Sequence, residues 1–188
     1  MSTYDSLTAG KQSVSSQSVV KAITIRHIKM DLRVPYRLSY RTFEVFEPYV
    51  VEIVGSDGTK GWGDGHISPG SSRETREGGW EFCNKIAPEL LGRTPDEAIR
   101  FVSAKMSESK VAGSALCVAL EMLQGSPLLN VEKEIVIPLI TPLNAVDPSG
   151  IETEVEQKLE LGFRTFKVKV GKDVHADLKR LSQIQSVL

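Results

Sequence analysis

The 188-residue sequence predicts an α+β domain over residues 21–130, followed by parallel βα units over residues 131–188. Two patterns predict it. Up to position 70, extended apolar stretches alternate with turn chemistry; from there to Gly125 the apolar residues recur at helical spacing. Strands followed by helices read as α+β. Beyond position 130 the order is strand, helix, strand, helix, the pattern of parallel crossover packing.

The opening "MSTYDSLTAGKQSVSSQSVV" is Ser-rich and lacks the compact apolar core of a secretory signal, so residues 1–20 are expected to be a disordered tail. In "ITIRHIKMDLRV", Ile23, Ile25, Ile28, Met30 and Leu32 fit an extended strand whose phase slips once near His27. "PYRLSYRTFEVFE" is a loop or hairpin extension rich in aromatics. "PYVVEIVGSDGTKGWGDG" is a hairpin, because Asp57-Gly58 supplies the positive φ that a tight turn needs.

Helical spacing begins near Ser72 and runs through Trp80, Phe82, Cys83, Ile86 and Leu90. A second helix opens at Thr94 as N-cap, with Pro95 at its first position and acids in the first turn. A third, "VAGSALCVALEMLQG", is apolar nearly all round and closes at Gly125, so it is expected to be buried. "EIVIPLITPL" is a continuous apolar run, the pattern of a strand covered on both faces. A helix from Asp147 or Ser149 to Gly162 precedes "GFRTFKVKVG". The last helix is expected to present Val174, Leu178, Leu181, Ile184 and Leu188 as one stripe.

Composition narrows the functional classes. The net charge is −1 and a quarter of the residues are charged, with no basic excess to attract nucleic acid or an anionic membrane. No apolar run approaches the roughly 20 residues of a membrane span. Cys83 and Cys117 are too few for a disulfide framework and suit a reducing, cytoplasmic compartment. No G-x-S-x-G or phosphate-loop spacing occurs. His27 reads as a strand residue, His175 as solvated, and Glu152, Glu154, Glu156 and Glu160 as a solvated helix face.

The lysine strand is the most informative stretch. Phe166, Val168 and Val170 alternate with Lys167 and Lys169, so the two amines share a face, roughly 7 Å apart. Alternation alone fits an edge strand with one wet face. After a strand and a crossover helix, however, neither face of a parallel sheet is left for water, and buried ammonium groups need a partner or a task.

With "GWGD" at Gly61–Asp64, the helix "SALCVALEML" and this K-x-K strand in order, residues 21–188 resemble the enolase superfamily in its mandelate racemase/muconate lactonizing branch. Asp64 stands where the family commonly has Glu, and Cys117 where its helix usually has Asp. The resemblance implies an α+β capping domain over 21–130 and the first two βα units of a (β/α)8 TIM-type barrel over 131–188. It also implies abstraction of a proton α to a carboxylate, with Mg²⁺ holding the enediolate.

By that resemblance Lys169 is the acid/base lysine and Lys167 its companion. A lysine accepts a proton only as the neutral amine; burial and a neighbouring like charge are the physical means of disfavouring the ammonium. Tyr36, Tyr40, Phe43 and His66 fall in loops that correspond to the substrate-closing segments and are candidate substrate contacts. The implied partners are a small carboxylate substrate and, at full length, further copies of the chain. Mg²⁺ would be held by acids on later barrel strands, so no metal ligand is assigned here. A complete barrel takes roughly 250 residues, and the chain alone is therefore expected to be inactive, as a fragment or a truncated product. An acid-sugar dehydratase, a non-catalytic interaction protein and an unrelated anion-binding α/β module are the alternatives.

Overall fold

The computed structural model describes residues 18–38, 40–129, 131–171 and 173–188. The expected tail lies outside these, save for its last residues: Val20 opens the first strand and is buried. The chain divides into two compact units. One comprises the described part of Met1–Arg26 with Tyr49–Gly65 and Glu77–Leu129; the other comprises His27–Pro48, His66–Arg76 and the described part of Asn130–Leu188.

In the first unit, strands β1 (Val20–His27), β4 (Tyr49–Gly55) and β5 (Lys60–Gly65) form a sheet ordered β1-β4-β5. Alternation in β4 puts Tyr49, Val51 and Ile53 inside, as period two requires. The β4–β5 turn is the expected one: Gly58 has φ 84°. Asp57 accepts from the Thr59 amide and hydroxyl.

Helices α1 (Arg76–Leu90), α2 (Pro95–Ala104) and α3 (Lys110–Leu123) follow. Thr94 caps α2 in a full capping box with Glu97. Helix α3 buries Ala112, Ala115, Leu116, Ala119 and Leu120 and packs on β4 and β5. Its approach to β5 is unusually close. A methyl group placed on Gly63 would lie 2.1 Å from the Ala115 carbonyl oxygen, and one on Gly61 would lie 1.9 Å from that of Ala119. The alternate glycines of "GWGDG" therefore act as a groove for the helix backbone.

In the second unit, β2 (Met30–Arg37) and β3 (Thr42–Phe46) form an antiparallel hairpin with a register shift between Asp31 and Tyr36. The phase slip expected near His27 is thus a break between two strands. Strands β6 (Ile140–Leu143) and β7 (Thr165–Val168) pair in parallel, joined by α4 (Pro148–Glu160) and followed by α5 (Val174–Val187). Phe166 and Val168 pack toward Leu143, Ile151, Val155 and Ile184, the helical side that the pattern predicts. Asp147 caps α4 through the Gly150 amide, and Gly162 closes that helix at φ 91°.

One expectation fails here. The apolar run before β6 is not a doubly covered strand: only Ile140–Leu143 is extended and paired, while Ile135, Val136, Ile137 and Leu139 are exposed. Pro138 and Pro142 carry no N–H for a ladder, and among the described residues this sheet has two strands and forms no closed barrel. On α5 only Ile184 is buried; Val174, Leu178, Leu181 and Leu188 are exposed, because a stripe is buried only where a sheet lies beneath it. Among the described residues no helix is long and apolar enough to cross a membrane.

Candidate active site

Parallel pairing of β6 and β7 brings their carboxyl ends to one edge, where open α/β sheets and barrels place their chemistry. Helix α5 fastens that edge. Arg180 donates to the carbonyls of Leu143 (2.8 Å), Ala145 (2.9 Å) and Lys169 (3.4 Å), so one guanidinium spans the ends of both strands. Asp177 accepts from the Gly171 amide at 2.7 Å and Asp173 caps α5 through Ala176. Here also lies a cleft of about 530 Å³, lined by Leu143, Asn144 and Lys169, by Asp173, Asp177 and Arg180 of the α5 segment, and by Arg37, Leu38 and Thr42 of the hairpin.

Lys169 lies just beyond the end of β7 and is half-buried. Its Nζ donates to the Arg37 carbonyl at 2.6 Å and sits 3.8 Å from the centre of the Tyr36 ring. Contrary to the expectation that this sheet leaves no face to water, Lys167, within the strand opposite Pro142, is exposed, because among the described residues only two strands make up the sheet.

Of the four candidate substrate contacts, the structure thus brings Tyr36 to Lys169. Phe43 is buried and joins Phe46 and His66 in a ring cluster: Phe43 lies edge-on to Phe46 at 5.8 Å, and Phe46 stacks on His66 at 4.4 Å. His66 accepts from the Glu47 amide at Nδ1, and burial lowers its pKa, keeping the ring a neutral acceptor. Tyr40 bonds to Ser68 at 3.0 Å. None of the four lines the cleft itself; Tyr36 reaches it only through Lys169.

The solvated-face reading of the α4 acids fails for Glu154. Its carboxylate is half-buried, accepts from the amides of Asn144 and Ala145 at 2.7 Å each, and pairs with Lys158 at 2.9 Å. Lys158 in turn donates to the Pro142 carbonyl. Together they shape the turn that follows β6. The signal was present in the sequence: Ile151, Glu154, Val155 and Lys158 share an i, i+3, i+4, i+7 face.

Burial raises the Glu154 pKa, but the Ala145 amide, Lys158 and the Asn144 amide outweigh it and the net shift is downward. A depressed carboxylate stabilises the fold above its unfolded value of 4.5 and loses that contribution as pH falls through the folded value. Glu154→Gln is therefore expected to flatten the acid limb of the stability profile below pH 4.5; urea midpoints measured against pH check it, and an unchanged acid limb would refute the role.

Among the described residues no three His, Cys, Asp or Glu side chains converge to hold a metal ion. Asp173 and Asp177, the cleft's two acids, are both engaged by backbone amides. These residues do not fit Mg²⁺.

Comparison with known proteins places the chain in one family. The family model for the mandelate racemase/muconate lactonizing enzyme N-terminal domain matches residues 20–128. A hydrophobic dipeptide epimerase of Enterococcus faecalis is 28% identical over 179 residues, which is 90% of this chain and 50% of that protein. An o-succinylbenzoate synthase of Geobacillus kaustophilus is 27% identical over 181 residues, 86% of this chain and 47% of that protein. The crystal structure of the dipeptide epimerase from Enterococcus faecalis V583, complexed with Mg and the dipeptide L-Leu-L-Tyr, superposes with TM-score 0.78 at 26% identity. It covers 90% of this chain and 51% of its own. The chain spans about half the length of the curated relatives it matches.

Proposed function

Because the chain belongs to the mandelate racemase/muconate lactonizing enzyme family, we propose that it carries the acid/base lysine and the capping elements of an enzyme that removes a proton α to a carboxylate. Residues 21–130 are the cap and 131–188 the first two βα units of the barrel. Lys169 is the base and Lys167 its companion. The observation that supports this most is the position of Lys169, just past the carboxyl end of a parallel strand and lining the cleft beside the hairpin.

In this reading the substrate's α-carbon faces Lys169, whose neutral Nζ takes the proton and returns it. Tyr36 and Arg37 approach from the hairpin side, and Arg180 holds the strand ends that carry the base. Epimerisation is the favoured outcome, since the similar proteins include a dipeptide epimerase and an N-succinyl-L-Arg/Lys racemase. Mg²⁺, present in the similar dipeptide epimerase structure, would come to ligands outside those described here. A cytoplasmic, homo-oligomeric enzyme remains the companion proposal. The absence of a converging ligand set among the described residues favours a second reading, in which the chain by itself binds a carboxylate without turnover.

Exchange with solvent tests the proposal more directly than inversion. Exchange needs one base, whereas inversion needs an acid on each face of the carbon. Residues 20–188 grafted in place of the aligned half of the Enterococcus faecalis epimerase are expected to remove the α-proton signal of L-Leu-L-Tyr or of an N-succinyl amino acid in D₂O with Mg²⁺. A folded graft that leaves a panel of such carboxylates unexchanged would count against it.

A further inference from the structure

We infer that Tyr36 is a positioning residue for Lys169: its ring face and the Arg37 carbonyl form a seat that holds the Lys169 ammonium at rest. The inference builds on the base assignment proposed above and concerns where that base waits. Nζ lies 3.8 Å from the ring centre and donates to the carbonyl at 2.6 Å. Both partners suit a cation. The negative face of the ring attracts an ammonium, and a charged donor makes the stronger bond to a carbonyl.

The choice of partners is informative because carboxylates are close at hand. Asp173 and Asp177 line the same cleft, yet each accepts from a backbone amide instead. Among the described residues no carboxylate comes within ion-pair distance of Lys169.

The seat is itself oriented. The hairpin closes beyond Arg37 through the Leu38 amide to the Arg41 carbonyl, 2.8 Å, and Phe46 meets the Tyr36 ring edge-on at 5.8 Å. An ammonium has no lone pair, so Lys169 takes a proton from substrate only after it has given one to solvent and left the seat.

The test is NMR on the chain with ¹³C-labelled lysine. A ring face over Lys169 moves its ε-methylene protons upfield, so one lysine signal is expected upfield of the rest. It should vanish in Lys169→Arg and show nuclear Overhauser contacts to the Tyr36 ring. Tyr36→Phe should keep the shift, whereas Tyr36→Leu should lose it while the upfield methyl signals of the core persist. A Lys169 signal among the ordinary lysines of the wild type overturns the inference, as does a shift that Tyr36→Leu leaves intact. Where Tyr36→Leu does not fold, the wild-type contacts and the Tyr36→Phe spectrum decide. The shift does not depend on turnover: present without exchange, it upholds the seat and removes the base assignment; exchange without the shift removes the seat alone.

Discussion

Lys169→Ala is expected to lower α-proton exchange by the grafted enzyme roughly 10³-fold, within the range of about 10² to 10⁴ that a positioned acid/base group contributes. Its effect on stability should be far smaller. The side chain is half-buried and gives the fold one carbonyl bond and one ring contact. A partly exposed cation–π contact is worth about 0.5–1 kcal/mol. The separation of the two effects is the diagnostic result. A structural lysine would lower rate and stability together; a base loses the rate and leaves the unfolding midpoint nearly in place.

Lys167→Ala provides the comparison. Lys167 is exposed and lies within β7, so its loss should reduce exchange less than the loss of Lys169. Exchange rates in D₂O and urea midpoints for the two variants side by side check both statements. Undiminished exchange in Lys169→Ala would remove that residue from its assigned role.

What could be read from the sequence was local. Asp57-Gly58, the Thr94-Pro95 cap with Glu97, and Asp147 with Gly162 each solve a backbone problem within a few residues, so each announces itself in a short window. The parallel pairing of β6 with β7 was legible for a related reason, since a strand, helix, strand order admits few topologies. Residues 135–139 were misread because apolar composition says nothing about whether a covering layer exists.

The candidate site was legible in its chemistry and not in its contacts. The K-x-K pattern singled out Lys169, and the aromatic loop singled out Tyr36. No local pattern could join them: Lys169 and its acceptor Arg37 are 132 positions apart. Phe43 and His66 show the converse. The sequence marked them as candidate substrate contacts, and the structure packs them against each other and Phe46, a contact no short window could announce.

Gly63→Ala is expected to destabilise the first unit by about 2 kcal/mol. Two effects oppose each other at this position. Alanine restricts the unfolded chain and favours folding by about 0.4–1 kcal/mol. Against this, the added methyl group would stand 2.1 Å from the Ala115 carbonyl oxygen and 2.9 Å from the Ala119 amide nitrogen. Those are backbone atoms of α3 and cannot rotate aside. The helix must move off the sheet, and overpacking of this kind costs typically 1–3 kcal/mol, here at the upper end. Since α3 buries Leu116 and Leu120 beside this contact, any retreat also loosens the core.

The series gives an order as well as a sign. Gly61→Ala should match Gly63→Ala, because its methyl would meet the Ala119 carbonyl at 1.9 Å; Gly65→Ala should cost less, with its nearest atom at 2.8 Å. Urea unfolding of the three variants measures this directly. A Gly63→Ala chain as stable as the wild type would mean that α3 and β5 are not in backbone contact, and the glycines of "GWGDG" would then need an explanation other than packing.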